Sequence, residues 1–216
     1  MKFLKILFMS LFTAQAFAYV VPTYRDLKPA TQAMLEYQRI ATPVVANTTR
    51  IKALTATSSS VTTTITTFAA QPDVPRNVTI TTGGTTDDCK AANVTVTGTN
   101  FYGASITEAI AIADNQAGTS SGLKAFKSVS SVAIPAQDGA ACTYAVGVGD
   151  VLGLKACMKQ AGDVAWAVFD SAYESTRPTC VADADEVEKN TCDINGTLNG
   201  SKNVDLYFVQ NFVCHP

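Results

Sequence analysis

The sequence predicts a mainly β protein: an antiparallel β-sandwich of jelly-roll or immunoglobulin-like type, preceded by a short N-terminal helical arm. Three observations lead there. Apolar and polar residues alternate in short runs, as in Asn77-Val78-Thr79-Ile80-Thr81 and Val94-Thr95-Val96-Thr97, and a period of two puts one set of side chains on a core face and the other in water. Gly, Pro, Asn and Asp punctuate those runs about every 8–12 residues, the spacing of a sandwich or barrel. Charged residues make up only 16% of the chain, against roughly 25% in ordinary soluble proteins, while Thr and Val, which suit a pleated surface, are abundant.

Taken in order, residues 1–18 have the three parts of a secretory signal. Lys2 and Lys5 supply the positive charge, and Ile6 to Phe12 is an apolar core too short to span a bilayer. Ala14-Gln15-Ala16 and Ala16-Phe17-Ala18 place small residues where a signal peptidase reads them. The alternative is an uncleaved hydrophobic segment. Residues 19–70 form an arm and connector. Pro29 suits a first helical position, Met34, Leu35, Tyr37 and Ile40 give an imperfect apolar stripe, and Pro43 ends it. Such a helix would dock on a partner subunit or pack on its own domain. A polar stretch then leads into the Thr-rich strand Val61–Phe68.

The central β domain spans 71–154. Pro72 and Pro75 mark a bend before the Val78 strand. Gly83-Gly84 marks a turn, Gly98 to Gly103 a hairpin tip with Phe101 and Tyr102, Asn115 to Gly122 a flexible loop, and Gln137-Asp138-Gly139 a further turn. Ile106, Ile110, Ile112, Phe126, Val129, Val132 and Ile134 complete the apolar set. Gly147, Gly149 and Gly153 imitate a phosphate loop but lack the βαβ setting that a dinucleotide fingerprint needs, so a kinked strand end is expected.

The segment 155–216 packs on that domain. Val164–Phe169 reads as a buried strand with Trp166 in the core, and Val204–Val209 as a closing strand. Asn195-Gly196 and Asn199-Gly200 are hairpin-turn dipeptides. The acidic run Val181–Glu188 lacks the spacing of a calcium loop and reads as a solvated strand face or loop.

Chemistry is sparse. The only histidine is His215, so a nucleophile with a histidine base, or a zinc set, has no second member. No carboxylate pair is marked by its setting. A net charge of −2 leaves no footprint for nucleic acid. The expectation is a non-enzyme with no catalytic residue, metal, cofactor or small-molecule substrate. Six cysteines, Cys89, Cys142, Cys157, Cys180, Cys192 and Cys214, are an even number in an exported chain and point to disulfides. Cys89 is matched with Cys142, leaving four to staple the C-terminal third; free buried thiols are the alternative.

The order Gln71-Pro72-Asp73-Val74-Pro75-Arg76-Asn77, Gly98-Thr99-Asn100, Ile106-Thr107-Glu108, Ala125-Phe126-Lys127-Ser128-Val129, Ile134-Pro135-Ala136-Gln137-Asp138-Gly139 and Gly147-Val148-Gly149-Asp150 resembles a family of tailed-bacteriophage virion proteins. Weaker likeness runs on to Tyr207, so that about two-thirds of the chain is covered. The resemblance implies a β-rich virion subunit, a capsid decoration or accessory component that packs on capsid or tail proteins and forms homo-oligomers. Exposed loops at Phe101, Tyr102 and Asn115 would then be contact surfaces, since loop-tip aromatics often anchor interfaces. The leader and the cysteines depart from the family. They fit either a virus that assembles at or beyond the membrane or a secreted or cell-surface protein, an adhesin or pilus-like subunit.

Overall fold

The strands form because β-branched and alternating segments find partners far away along the chain. A computed structural model of the protein describes residues 34–210. In chain order the strands among them are β1 (Met34–Ile40), β2 (Asn47–Ala56), β3 (Thr63–Ile65), β4 (Arg76–Gly84), β5 (Ala92–Thr99), β6 (Ser105–Ile112) and β7 (Gly118–Phe126). They continue with β8 (Ser128–Ile134), β9 (Cys142–Gly153), β10 (Val164–Phe169), β11 (Ala172–Tyr173), β12 (Thr179–Val181), β13 (Thr191–Asp193) and β14 (Val204–Gln210). The helical pieces among the described residues are short 3-10 turns at Thr86–Asp88, Ala161–Asp163 and Val187–Lys189. The protein is mainly β and its described pairings are antiparallel.

Three sheets result. One runs β12-β13-β9-β4-β7, with β2 also on β9; the second runs β3-β8-β5-β6; the third runs β1-β14-β10-β11. The first two face each other in a sandwich-like arrangement across a core that takes Val78, Ile80, Tyr144, Val146 and Val148 from one side. The other side supplies Val94, Val96, Ile110, Val132 and Ile134. Val78, Ile80, Val94, Val96, Ile110, Val132 and Ile134 are residues that the alternation picks out; Tyr144, Val146 and Val148 of β9 are not. A second core gathers Leu152, Leu154, Met158, Val164, Leu206 and Phe208 under the third sheet. β9 serves both: its first half lies in one core and its end, at Leu152, in the other.

β4 is buried along nearly its whole length because strands flank it on both sides. Both neighbours bulge opposite Asn77: the β4–β7 register slips between Asn77 and Thr79, and the β4–β9 register between Arg76 and Val78. A bulge frees backbone groups from the ladder. The Asn77 amide receives them, accepting from Val151 N (3.2 Å) and donating to Gly122 O (3.3 Å). Gly149 leaves the room for it, since a Cβ there would lie 2.4 Å from Asn77 Oδ1. Gly149 therefore accommodates a bulge inside β9, Gly147 lets the β2 backbone approach at Asn47 and Thr48, and Gly153 is the last residue of the strand.

Several expectations are corrected. Met34–Ile40 is a strand and not part of a helix; the residues of the expected arm before Met34, and the leader 1–18, lie outside the described residues. The burial of this strand alternates, Gln38 and Ile40 inside and Leu35, Tyr37 and Arg39 outside, and its full-length pairing with β14 outweighs a weak helical stripe. The loop expected at Asn115–Gly122 is strand from Gly118 onward. Trp166 is about one-third exposed, on the outer face of the third sheet. The Asn-Gly dipeptides at 195 and 199 do not close a hairpin, because β13 and β14 belong to different sheets.

Candidate functional site

The most chemically loaded place is the corner where β6 meets β7. Glu108 holds a core-facing position of β6, between the buried Ile106 and Ile110. An inward charge on an end strand blocks pairing with a further strand. Its carboxylate accepts the backbone N–H of Leu123 (2.6 Å) and Lys124 (3.2 Å), both released by the β7 bulge. Burial pushes the Glu108 carboxyl above its usual range, and those two N–H groups and the Lys124 charge pull against that rise.

Across from it lies the turn between β12 and β13. Lys124 reaches Glu186 (3.0 Å) and Glu188 (3.2 Å), while Lys189 reaches Glu186 (2.7 Å) and Asp183 (3.7 Å). Burial works against the Lys124 ammonium, but the hydrogen bonds it donates to Glu186 and Glu188 outweigh it, and the pKa rises. The acidic run is the loop that leaves β12, with Asp185 exposed, but Glu188 at its end is buried and paired. Asn190, fully buried, organises this turn. Its Oδ1 accepts from Met158 N and Asp183 N, and its Nδ2 donates to Asp183 O and Glu186 O. A cleft of about 190 Å³ separates the two sides, lined by Glu108, Leu123, Lys124, Val181, Ala182, Asp183 and Lys189. Lys124 and Lys189 each meet two carboxylates there, so both ammonium groups already have anionic partners.

The expected contact loops sit at opposite ends of β6, separated by its eight residues. Asn100 builds the Phe101–Tyr102 tip: buried, it accepts from Tyr102 N and Ala104 N (both 3.0 Å) and donates to Glu188. The Tyr102 hydroxyl donates to Lys155 O, and the two rings meet edge to face at 5.2 Å. Phe101 is half-buried and Tyr102 exposed. Asn115 is exposed, has a left-handed backbone (φ 48°) and donates its N–H to Cys89 O at 2.9 Å.

Cys89 is bonded to Cys142 and Cys180 to Cys192. Cys157 is also in a disulfide, and Cys214 lies outside the described residues. No group of three His, Cys, Asp or Glu side chains that could hold a metal ion occurs among the described residues.

A second cleft, of about 280 Å³, is lined by Asp150, Asp193 and the 194–198 loop. Burial, with the charges of Asp150 and Glu174, raises the Asp193 carboxyl. Elsewhere, Trp166, Tyr207 and Tyr37 form a ladder across three strands of the third sheet, with ring centres 5.1 Å apart at each step. That step is close to the inter-strand spacing of about 4.8 Å, so the Trp166 and Tyr207 rings stack on each other rather than lying flat for a ligand.

Sequence reasoning missed Glu108 and Asn190. Glu108 had a signal, a charged residue in phase with Ile106, Ile110 and Ile112; Asn190 had none, because its partners are scattered backbone groups. No protein-family model, no curated protein and no solved structure matches the chain.

Proposed function

We propose that the chain is a non-enzymatic structural subunit of a bacteriophage particle, a decoration or accessory component that acts by burying its faces against capsid or tail subunits and against copies of itself. One observation carries the reading: polar residues in the segments that resemble virion proteins hold the fold together. Gln71 pairs reciprocally with the Val129 backbone (2.7 and 3.1 Å). Asp73 joins Val44 N to the buried Arg76. Asn77 pins two bulges and Asn100 a hairpin. Gln137, buried, accepts from Lys90 N and Tyr144 Oη and donates to Pro135 O. Burial pushes the Tyr144 phenol up to about 12, which keeps it a donor. A signature made of such residues marks a scaffold, and the face-to-face packing of the six-stranded sheet on the β3-β8-β5-β6 sheet supports a jelly-roll or immunoglobulin-like body for it.

Mass spectrometry of purified particles tests the reading. The protein is expected at a fixed ratio to the major capsid subunit, and its absence from particles ends the proposal. Replacing Phe101 and Tyr102 by Ser is expected to weaken attachment while the protein stays folded.

A second reading, an exported surface or pilus-like protein, is favoured by the disulfides, which persist in oxidising compartments. Cell fractionation with N-terminal sequencing separates the two. A mature terminus at Phe17 or Tyr19 on a cell-surface fraction supports export, and an intact Met1 with the protein confined to the cytoplasm removes it.

A further inference from the structure

The β12–β13 disulfide stands at one wall of the cleft beside Glu108. Cys180 and Cys192 face each other across the two strands. Val181 and Ala182, the residues that follow Cys180, line the cleft opposite Leu123 and Lys124. β12 is the end strand of its sheet and has only three register pairs, all with β13. So short a ladder holds weakly by itself. Among the described cysteines, Cys89, Cys142, Cys157 and Cys192 are fully buried and Cys180 alone is partly exposed. Thiol–disulfide exchange needs a thiolate to reach a sulfur, so access decides which bond reacts. The Cys89–Cys142 bond has both ends buried.

We infer that the Cys180–Cys192 bond is a redox-sensitive latch on β12: a dithiol reductant opens it under native conditions, releases Thr179–Ala182 from β13 and takes away one wall of the cleft. A reductant thiolate attacks Cys180 Sγ, the S–S bond breaks, and its electron pair leaves on Cys192 Sγ, which takes a proton from water. The second thiol of the reductant then displaces Cys180 from the mixed disulfide. Two electrons and two protons pass to the protein, and the reductant becomes a cyclic disulfide. The turn that follows stays in place, because Asn190 holds both the N–H and the C=O of Asp183, and Lys124 holds Glu186 and Glu188. Movement is therefore confined to β12, and the free edge of the sheet passes from β12 to β13.

The test is a native-state reduction of the full chain with millimolar dithiothreitol, read by alkylation mapping and amide hydrogen exchange. Cys180 and Cys192 are expected to label well before Cys89 and Cys142. The amides of 179–182 and 191–193 are expected to exchange at least roughly tenfold faster, with 183–190 unchanged. The variant carrying Cys180→Ser and Cys192→Ser should show the same exchange pattern with no reductant present. Simultaneous labelling of Cys89 and Cys142, unchanged protection at 179–182, or loss of the near-ultraviolet circular dichroism of the whole protein overturns the proposal. The wild-type chain supplies these readings whether or not the variant folds.

Discussion

Asn190 shows how much one uncharged side chain carries here. Four hydrogen bonds converge on its amide in a site closed to water. Asn190→Ala would strand the N–H groups of Met158 and Asp183, and unsatisfied buried donors are costly, so a loss of about 3 kcal/mol is expected in urea unfolding. A change under ~1 kcal/mol would mean that water replaces the amide. Asn77 has the same character, and Gly149 is its counterpart. Gly149→Ala should force the Asn77 amide off Val151 and Gly122, at about 2 kcal/mol, a cost typical of overpacking. Neither role could be read from the sequence. An asparagine among turn residues looks like any other until the backbone groups around it are placed. Arg76 belongs here as well: buried, it gives Nη1 to Val44 O and Asp73, and its Nε and Nη2 have no hydrogen-bond partner among the described residues.

Among the elements, the third sheet was the least legible. Met34, Leu35, Tyr37 and Ile40 resemble a helical stripe only while their partner strand, some 168 residues away, is unknown. Once paired, Tyr37 Oη and the Arg39 guanidinium converge on Asp205, at 2.7 Å each. The Arg39 hydrogen bond is the main reason the Asp205 carboxyl lies below its ordinary range; burial opposes it and Tyr37 adds to it. A carboxyl lowered in the folded state stabilises above its unfolded pKa of about 3.9, and that contribution is lost as pH falls through the folded value. Glu108, raised by burial, has the opposite sign, since protonation relieves its penalty. The melting temperature should therefore fall more steeply below about pH 4 in the wild type than in Asp205→Asn. Parallel curves would show that the Arg39–Asp205 contact contributes nothing to acid sensitivity. The strands of the central region were easier to read because Val78, Ile80, Val94 and Val96 alternate without interruption and turn residues flank them.

At the scale of the whole molecule, the described residues gather in two cores that share β9. Nothing in a linear pattern says that one twelve-residue strand serves two layers, with Val146 in the first and Leu152 in the second. The consequence for stability is coupling. The Cys89–Cys142 bond, 53 residues apart in sequence, closes a large loop within the first core. By the chain-entropy account its removal should cost about 4 kcal/mol. In a Cys89→Ala, Cys142→Ala protein, far-ultraviolet and Trp166 fluorescence melts should shift down together. If Trp166, which reports on the third sheet, kept its wild-type midpoint, the two cores would be melting independently.

The pairing of β1 with β14 also sets the order in which the chain can be completed. During synthesis Met34–Ile40 emerges early and must wait, without its neighbour, until Val204–Gln210 has been made. Pairings this distant in sequence form slowly. The protein is therefore finished last at the sheet that holds the Trp166 ladder, and a nascent chain stopped anywhere short of residue 204 leaves that sheet open.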